Sequence, residues 1–340
     1  MERVFIVAEI GCNHNGDYEL AKKLVVEAKK CGVDGVKFQT FKADALIAQS
    51  APKAMYQIAN TGDVESQLEM TRKLELPADS FLQLRDFAKT MGLVVFSTPF
   101  DLQSIRFLQK NGQNIWKIPS GEITNLPYLE RIRDLRCGDK WIILSTGMST
   151  LDEIRTAIDI LDAHKHRITV LHCNTEYPTM DDDVNISAIM DLKAKLPGLE
   201  IGFSDHSVGT VAATMAVAYG IHFIEKHFTL DKNLPGPDHK ASATPVEMMD
   251  LVKNVRRAER ILGCGQKIVT DSEQKNIVVA RKSIIANRDI QEGELFSEDN
   301  LTCKRPGNGI SPMRWYDLLG KRAKHTYSYD ELIQYDELKL

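Results

Sequence analysis

The sequence predicts an α/β protein: a closed (β/α)8 TIM barrel followed by a small β-rich module. Three observations carry this. Eight short β-branched runs, each followed by a helical segment, succeed one another within about 262 residues, near the ~250 typical of a barrel of this kind. The runs are continuously apolar, as parallel strands covered by helices must be. No GxGxxG follows the first run, which disfavours an open dinucleotide-binding sheet.

VFIVAE (4–9) is the first strand and precedes a helix over 17–30. GVKFQT (35–40) is the second, followed by a longer insertion before the helix over 78–91. LVVFST (93–98) pairs with the helix 101–110, and IWKIPS (115–120) with 126–134. WIILST (141–146) leads to the helix 151–163, and ITVLHC (168–173) to 186–195. LEIGFS (199–204) leads to 209–219, and HFIEKHF (222–228) to 245–262. The pattern then breaks. GCGQKIVTDSEQKN is polar and glycine-containing, which makes 263–282 a linker. From 283 to 340 the runs are shorter, with turns at Glu292-Gly293 and 307–309, a helix at 313–319 and a final short strand. The domains expected are therefore a barrel at 1–262 and a β-rich module at 283–340, whose small core needs support from a partner surface.

With 340 residues, 43% of them hydrophobic, the chain can bury a full core. A net charge of −4 leaves no electrostatic footprint for nucleic acid. The apolar stretch at the N-terminus is too short for a signal sequence, and the longest weakly polar run, 211–224, falls below the ~20 residues of a membrane span. Six cysteines without CxxC spacing suggest neither zinc nor redox chemistry. A soluble, cytoplasmic protein is expected.

Active-site groups of a barrel enzyme sit at the C-terminal ends of its strands. All eight ends here are polar: Glu9; Lys37 and Gln39; Ser97 and Thr98; Lys117, Ser120 and Glu122; Ser145 and Thr146; His172; Ser204, Asp205 and His206; Glu225, Lys226 and His227. Lys37 and Lys117 interrupt otherwise apolar strands, and a buried ammonium costs several kcal/mol unless paired. Each lysine could simply pair with a carboxylate such as Glu9 or Glu122. With hydroxyls at Thr98, Ser120, Ser145 and Ser204, two lysines also make a cradle for a phosphorylated or carboxylated ligand. His206 and His227 close neighbouring strands, and a pair of neutral imidazoles can hold a divalent ion with sites left open for substrate; ordinary hydrogen bonding is the alternative. Asp205 is placed to orient an imidazole. His14, His172 and His239 are further candidates, whereas His164, His166 and His325 read as solvated.

Eleven segments in order carry a resemblance: AEIGCNHNG (8–16), VKFQTFKAD (36–44), ESQLEM (65–70), FSTPFD (96–101), KIPSGE (117–122), ILSTGM (143–148), LHCNTEYPT (171–179), GFSDHSVG (202–209), EKHFTLD (225–231), GPDHKAS (236–242) and KRPGNGISP (304–312). Together they resemble the sialic acid synthase family, in greatest detail its bacterial N-acetylneuraminate synthases, with the legionaminic acid synthases next. The resemblance implies a barrel followed by an antifreeze-like (SAF) domain, in a homodimer whose SAF domain covers the partner's barrel mouth. The activity implied is condensation of phosphoenolpyruvate with N-acetylmannosamine and water, giving N-acetylneuraminate and phosphate; the alternative acceptor is a diacetylated 6-deoxy sugar.

By matching segments, the resemblance gives His206 and His227 a divalent ion, manganese or magnesium. It places Lys37, Thr98, Lys117, Ser120, Ser145 and Ser204 around phosphoenolpyruvate. Glu9, Gln39, Glu122, Tyr177 and Asp238 face the sugar or the reacting centre, and Glu9, Lys37, Lys117 and Glu122 are the catalytic candidates. Arg305 reaches from the SAF domain towards the partner's sugar. Thr175 stands where some members place an asparagine near the phosphate, and Met180 where a second proline is common.

Overall fold

The computed structural model describes residues 3–162 and 165–339. His164, expected to be solvated, and the last residue of the helix expected over 151–163 lie outside the described residues. The chain divides into two units, Met1–Cys264 and Gly265–Leu340.

The first unit is an eight-stranded parallel sheet wound with helices. Its strands are β1 (Phe5–Gly11), β2 (Gly35–Thr40), β3 (Val94–Pro99), β4 (Ile115–Ile118), β5 (Trp141–Ser145), β6 (Arg167–Cys173), β7 (Glu200–Asp205) and β8 (Phe223–His227). Hydrogen bonding runs in the order β3-β2-β1-β8-β7-β6-β5-β4. The end strands β3 and β4 lie side by side, so the sheet curls into a barrel. Across that seam the Gln113 side chain stands in for a peptide group. It accepts from the Ser97 amide at 2.8 Å and donates to the Ser97 carbonyl at 2.9 Å.

Helix starts follow from local capping chemistry. Asp17, Asp101, Thr150 and Thr244 each accept a hydrogen bond from an amide three residues on, opening the helices Tyr18–Cys31, Leu102–Lys110, Leu151–Ile160 and Pro245–Leu262. The insertion after β2 holds three short helices, Ala43–Leu46, Met55–Thr61 and Gln67–Lys73.

Alternate residues of each strand point into the barrel. Its lower part is filled by an apolar plug that includes Val7, Phe96, Ile143, Leu171 and Phe223. Phe5, Trp141 and Phe223 pack mutually, with ring centroids 5.7–5.8 Å apart. Three large rings leave little room on the remaining strands, which is where glycines fall. A Cβ on Gly35 would lie 2.8 Å from the Val94 carbonyl oxygen, and one on Gly202 2.5 Å from Leu171 Cδ2 and 2.8 Å from the Phe223 carbonyl oxygen. A separate, larger core joins the outward strand faces to the helices, with Ile6, Trp116, Ile142, Ile201 and Ile224 among its members.

The second unit has one antiparallel pair, β9 (Ser283–Ala286) with β10 (Leu301–Lys304). Its own core gathers Ile284, Ile290, Phe296, Leu318 and Tyr327. Two expectations are corrected here. The linker contains a helix, Asp271–Ala280, opened by a Thr270–Glu273 capping box. The final strand is reduced to a single bridge between Leu332 and Ile285, followed by a 3-10 turn, Tyr335–Leu338. Among the described residues, no helix is long and apolar enough to cross a membrane.

Gly202→Ala tests the packing of the plug. The added methyl meets backbone, which cannot swing away, and overpacking of this kind costs about 1–3 kcal/mol. A fall of that size is expected in the unfolding free energy measured with urea; an unchanged midpoint would show that the plug has slack.

Candidate active site

Above the apolar plug the same inward positions turn polar. Glu9 (β1), Lys37 (β2), Thr98 (β3), Lys117 (β4), Ser145 (β5), Ser204 (β7) and Glu225 (β8) are all buried. They surround the floor of a cavity of about 410 Å³ at the C-terminal ends of the strands. Strand register does the gathering: Glu9 lies beside Lys37 on one side and His227 on the other, and Ser204 beside Glu225.

The centre of this layer is a carboxylate that the sequence reading left without a role. Glu225 Oε1 is 3.1 Å from Lys117 Nζ and 3.7 Å from Lys37 Nζ, and the Ser204 hydroxyl donates to it at 3.4 Å. Lys37 is also 2.5 Å from Glu9 Oε2 and donates to Thr98 Oγ1 at 2.9 Å. Burial favours the neutral form of Glu225, but the two ammonium groups outweigh it and bring the carboxyl down to about 2. For Lys117 burial wins, and its pKa falls below the ordinary lysine value. Glu9 goes the other way: burial raises its carboxyl, and Lys37 offsets this only in part. Gln39 Nε2 donates to Glu9 Oε1 at 3.0 Å and so fixes the carboxyl's orientation.

His206 and His227 stand at the rim with ring centroids 5.4 Å apart. His206 Nδ1 is 2.5 Å from the Asn174 carbonyl oxygen. A carbonyl only accepts, so Nδ1 carries a proton, while Nε2 is hydrogen-bonded with Ser204 Oγ at 3.4 Å. His227 Nδ1 is buried without a hydrogen bond, 3.8 Å from Asp238 Oδ2. Burial, reinforced by the nearby His206, holds His227 well below the ordinary histidine value. His206 is raised instead, burial being outweighed by the Cys173 thiol and the Asn174 carbonyl. The two imidazoles, one with an unused buried nitrogen, are a donor pair that fits a divalent ion bound by two protein donors. Among the described residues no group of three or more His, Cys, Asp or Glu side chains is arranged to hold a metal. Tyr177 packs on His206 at 4.1 Å and edge-on to His227 at 5.5 Å.

Of the residues singled out in the sequence, Lys37, Gln39, Thr98, Lys117, Ser120 and Ser145 line the cavity. So do Thr175, Tyr177, Ser204, His206, His227 and Asp238. Ser120 Oγ accepts from the Gly147 amide at 3.0 Å, while Ser145 Oγ is buried without a partner. Glu9 lies beneath the cavity, on Lys37.

Others are placed differently from expectation. Glu122 does not line the cavity; it sits in the turn Ser120–Glu122 after β4, where it accepts from Asn125 Nδ2 at 2.5 Å. His172 has outward parity on β6, stacks on Phe203 and donates from Nε2 to the Val184 carbonyl. Cys173 takes the inward place instead. Asp205 touches no imidazole; it pairs with Lys226 at 2.7 Å and accepts from the amide and hydroxyl of Ser207. His206 is oriented by Asn174 instead. His14 and His239 serve loops: His14 accepts from the Gly16 amide, and His239 bonds Thr229 Oγ1 at 2.7 Å. Arg305, by contrast, lies in the second unit as expected, and its Nε–H donates to the Ala280 carbonyl.

Residues 24–267 match the model of the NeuB family and residues 281–339 that of the SAF domain. The chain is 50% identical over 337 residues to the N,N'-diacetyllegionaminic acid synthase of Campylobacter jejuni, covering 98% of this chain and 100% of that protein. It is 42% identical to the Legionella pneumophila protein of the same name, over 98% and 94% of the two chains. Among solved structures, N-acetylneuraminic acid synthetase from Leptospira borgpetersenii, in complex with citrate, superposes with a TM-score of 0.72 at 35% identity. That match covers 81% of this chain and 90% of the other.

Asp205→Ala separates the two roles considered for this carboxylate. Leaving Lys226 buried and unpaired costs about 3–5 kcal/mol, so a loss of stability of that order is expected in chemical denaturation. A stable variant with weakened metal affinity would restore the imidazole-orienting role.

Proposed function

The chain belongs to the NeuB family, and on that premise we propose that it joins phosphoenolpyruvate to a diacetylated 6-deoxy hexose, forming N,N'-diacetyllegionaminic acid and phosphate. One observation carries the chemistry: Lys37 and Lys117, both buried at the mouth, share Glu225 and face a row of hydroxyls. This suits a small, multiply charged anion held beside two imidazoles. Among the residues lining the cavity, Lys37 and Lys117 are the only lysines, and none is an arginine. One phosphorylated substrate can be neutralised there, which argues against a phosphorylated acceptor. The acceptor itself departs from N-acetylmannosamine, which the sequence resemblance favours. The 50% identity over nearly the whole chain to a diacetyllegionaminic acid synthase, against 35% to an N-acetylneuraminic acid synthetase, supports the diacetylated sugar.

In the reaction, C3 of phosphoenolpyruvate bonds to the aldehyde carbon of the open-chain sugar, water adds at C2, and phosphate leaves as the tetrahedral carbon collapses to the keto acid. Lys37 and Lys117 hold the phosphate and carboxylate from fixed positions, so no dipoles need reorganise as charge moves. Thr98, Ser120, Ser145 and Ser204 supply neutral hydrogen bonds to the same oxygens. Glu9, whose carboxyl burial raises above its ordinary value and Gln39 aims, is the candidate to deliver a proton near the acceptor oxygen or to position a sugar hydroxyl. His206 and His227 would hold a manganese or magnesium ion, which supplies Lewis-acid polarisation of the aldehyde. Asp238 and Tyr177 flank the imidazoles and complete the wall facing the sugar. The homodimer is part of this reading, with Arg305 of the SAF domain approaching the sugar bound by the partner.

A phosphate-release assay with phosphoenolpyruvate and a panel of acceptors tests the assignment: the diacetylated 6-deoxy sugar should turn over best, and release that is best with N-acetylmannosamine would reverse it. Lys117→Ala should lower kcat by about 10²–10³ with the barrel folded; near-normal turnover would remove its role. After treatment with EDTA the protein should be inactive, and manganese should not restore His206→Ala. Activity that survives chelation would eliminate the Lewis acid.

A further inference from the structure

One side of the cavity does not fit the polar character of the rest. Cys12, Phe41 and Leu74, with Leu46 and Phe100 packed against them, form an apolar cluster distinct from the barrel cores, and all five line the cavity. Cys12, Phe41 and Phe100 follow β1, β2 and β3, whereas Leu46 and Leu74 come from the insertion after β2. The cluster therefore stands over the β1–β2–β3 side, and the imidazoles close β7 and β8. Ile47 and Met70, from the same insertion, extend the apolar surface within the cavity.

Tyr56, Gln57, Gln67 and Thr71 are interspersed in this wall, and several of its polar atoms already have partners within the chain. Gln57 Oε1 accepts from the Ala54 amide at 3.0 Å, the Thr71 hydroxyl donates to the Gln67 carbonyl at 2.8 Å, and Cys12 Sγ approaches Asp238 Oδ2 at 3.3 Å. The insertion is also held in place. Asn60 Nδ2 donates to the Pro237 carbonyl at 2.6 Å, and Lys53 Nζ donates to Thr61 Oγ1 and the Gly62 carbonyl. A wall of this kind strips water from whatever meets it and returns few hydrogen bonds.

We infer that this apolar wall selects the acceptor by the end remote from its aldehyde, admitting a 6-deoxy, N-acylated hexose and disfavouring one that carries a hydroxyl at C6. The inference rests on the reading that the lysines and imidazoles hold the reacting end, which leaves the far end of the sugar for the wall. A methyl group and acetamido methyls bury favourably there, while a hydroxyl loses its water without a partner. Apolar pockets reject an added hydroxyl by about 10²-fold, and that is the preference expected in kcat/KM. Leu46 and Ile47 are the specificity-determining residues most open to test, because both are only half-buried.

The experiment measures kcat/KM of the full chain, at saturating phosphoenolpyruvate and manganese, for the diacetylated 6-deoxy sugar and for N-acetylmannosamine. Leu46→Gln and Ile47→Asn should each move the ratio towards N-acetylmannosamine by about tenfold or more, through the acceptor KM and not kcat. Leu46→Met, which keeps the surface apolar, should retain the wild-type ratio. Thermal melts establish that the variants are folded. Folded polar variants with the wild-type ratio would overturn the inference. A wild-type protein that itself prefers N-acetylmannosamine would overturn the acceptor proposed above, while the response of the ratio to substitution would still decide what the wall does.

Discussion

The mouth of this barrel depends on one carboxylate placed between two ammonium groups. Lys37 and Lys117 lie on strands that do not neighbour each other, and neither could remain charged and dry without a counter-ion. Glu225, on a third strand, approaches both. Because the three strands are fixed by the sheet, so are the three charges. The remaining polar groups arrange themselves about this core: Glu9 against Lys37, Thr98 beneath the same ammonium, Ser204 against the shared carboxylate. The fold thus provides a cationic surface at defined positions before any substrate arrives, and the carboxylates make that surface tolerable in the absence of ligand.

Much of this was legible in the sequence because strand parity is simple. A polar residue at the inward parity of an apolar run has few structural uses, and Lys37, Lys117, Ser204 and His227 all announce themselves in that way. The misplacements are also matters of parity. His172 and Asp205 end strands as conspicuously as their neighbours, but they sit one residue out of phase with the interior, where His172 meets Val184 and Asp205 meets Lys226. Glu122 lies beyond the last residue of β4, where the strand rule no longer applies. Glu225 was visible as a strand-end acid; its spacing of two from His227 places it inward, and that spacing was the signal to use. The insertion after β2 was opaque because its three short helices carry too little periodicity to predict, and their value lies in what they cover.

In the reaction proposed above, the two sides of the cavity would divide the labour. The polar floor, built from strand ends, would meet the phosphate and carboxylate of phosphoenolpyruvate and the aldehyde of the acceptor, groups common to every reaction of this kind. The wall over β1–β3 is built from loops and an insertion, which can change without disturbing the register of the charges. A family that keeps one reaction and varies the sugar is expected to conserve the first and vary the second.

The seam between β3 and β4 has a consequence of its own. A barrel escapes the hazard of open sheet edges by pairing every strand, yet this sheet leaves its two end strands without a backbone ladder between them. The β3 edge is sealed by side chains instead. Gln113 occupies both peptide groups of Ser97, and the Tyr128 hydroxyl donates to the Pro99 carbonyl at 2.7 Å. Both come from the chain around β4, Gln113 just before the strand and Tyr128 in the helix Leu126–Arg133 after it. In the closed barrel these two side chains occupy backbone groups of β3 that a strand from another molecule would otherwise find unpaired.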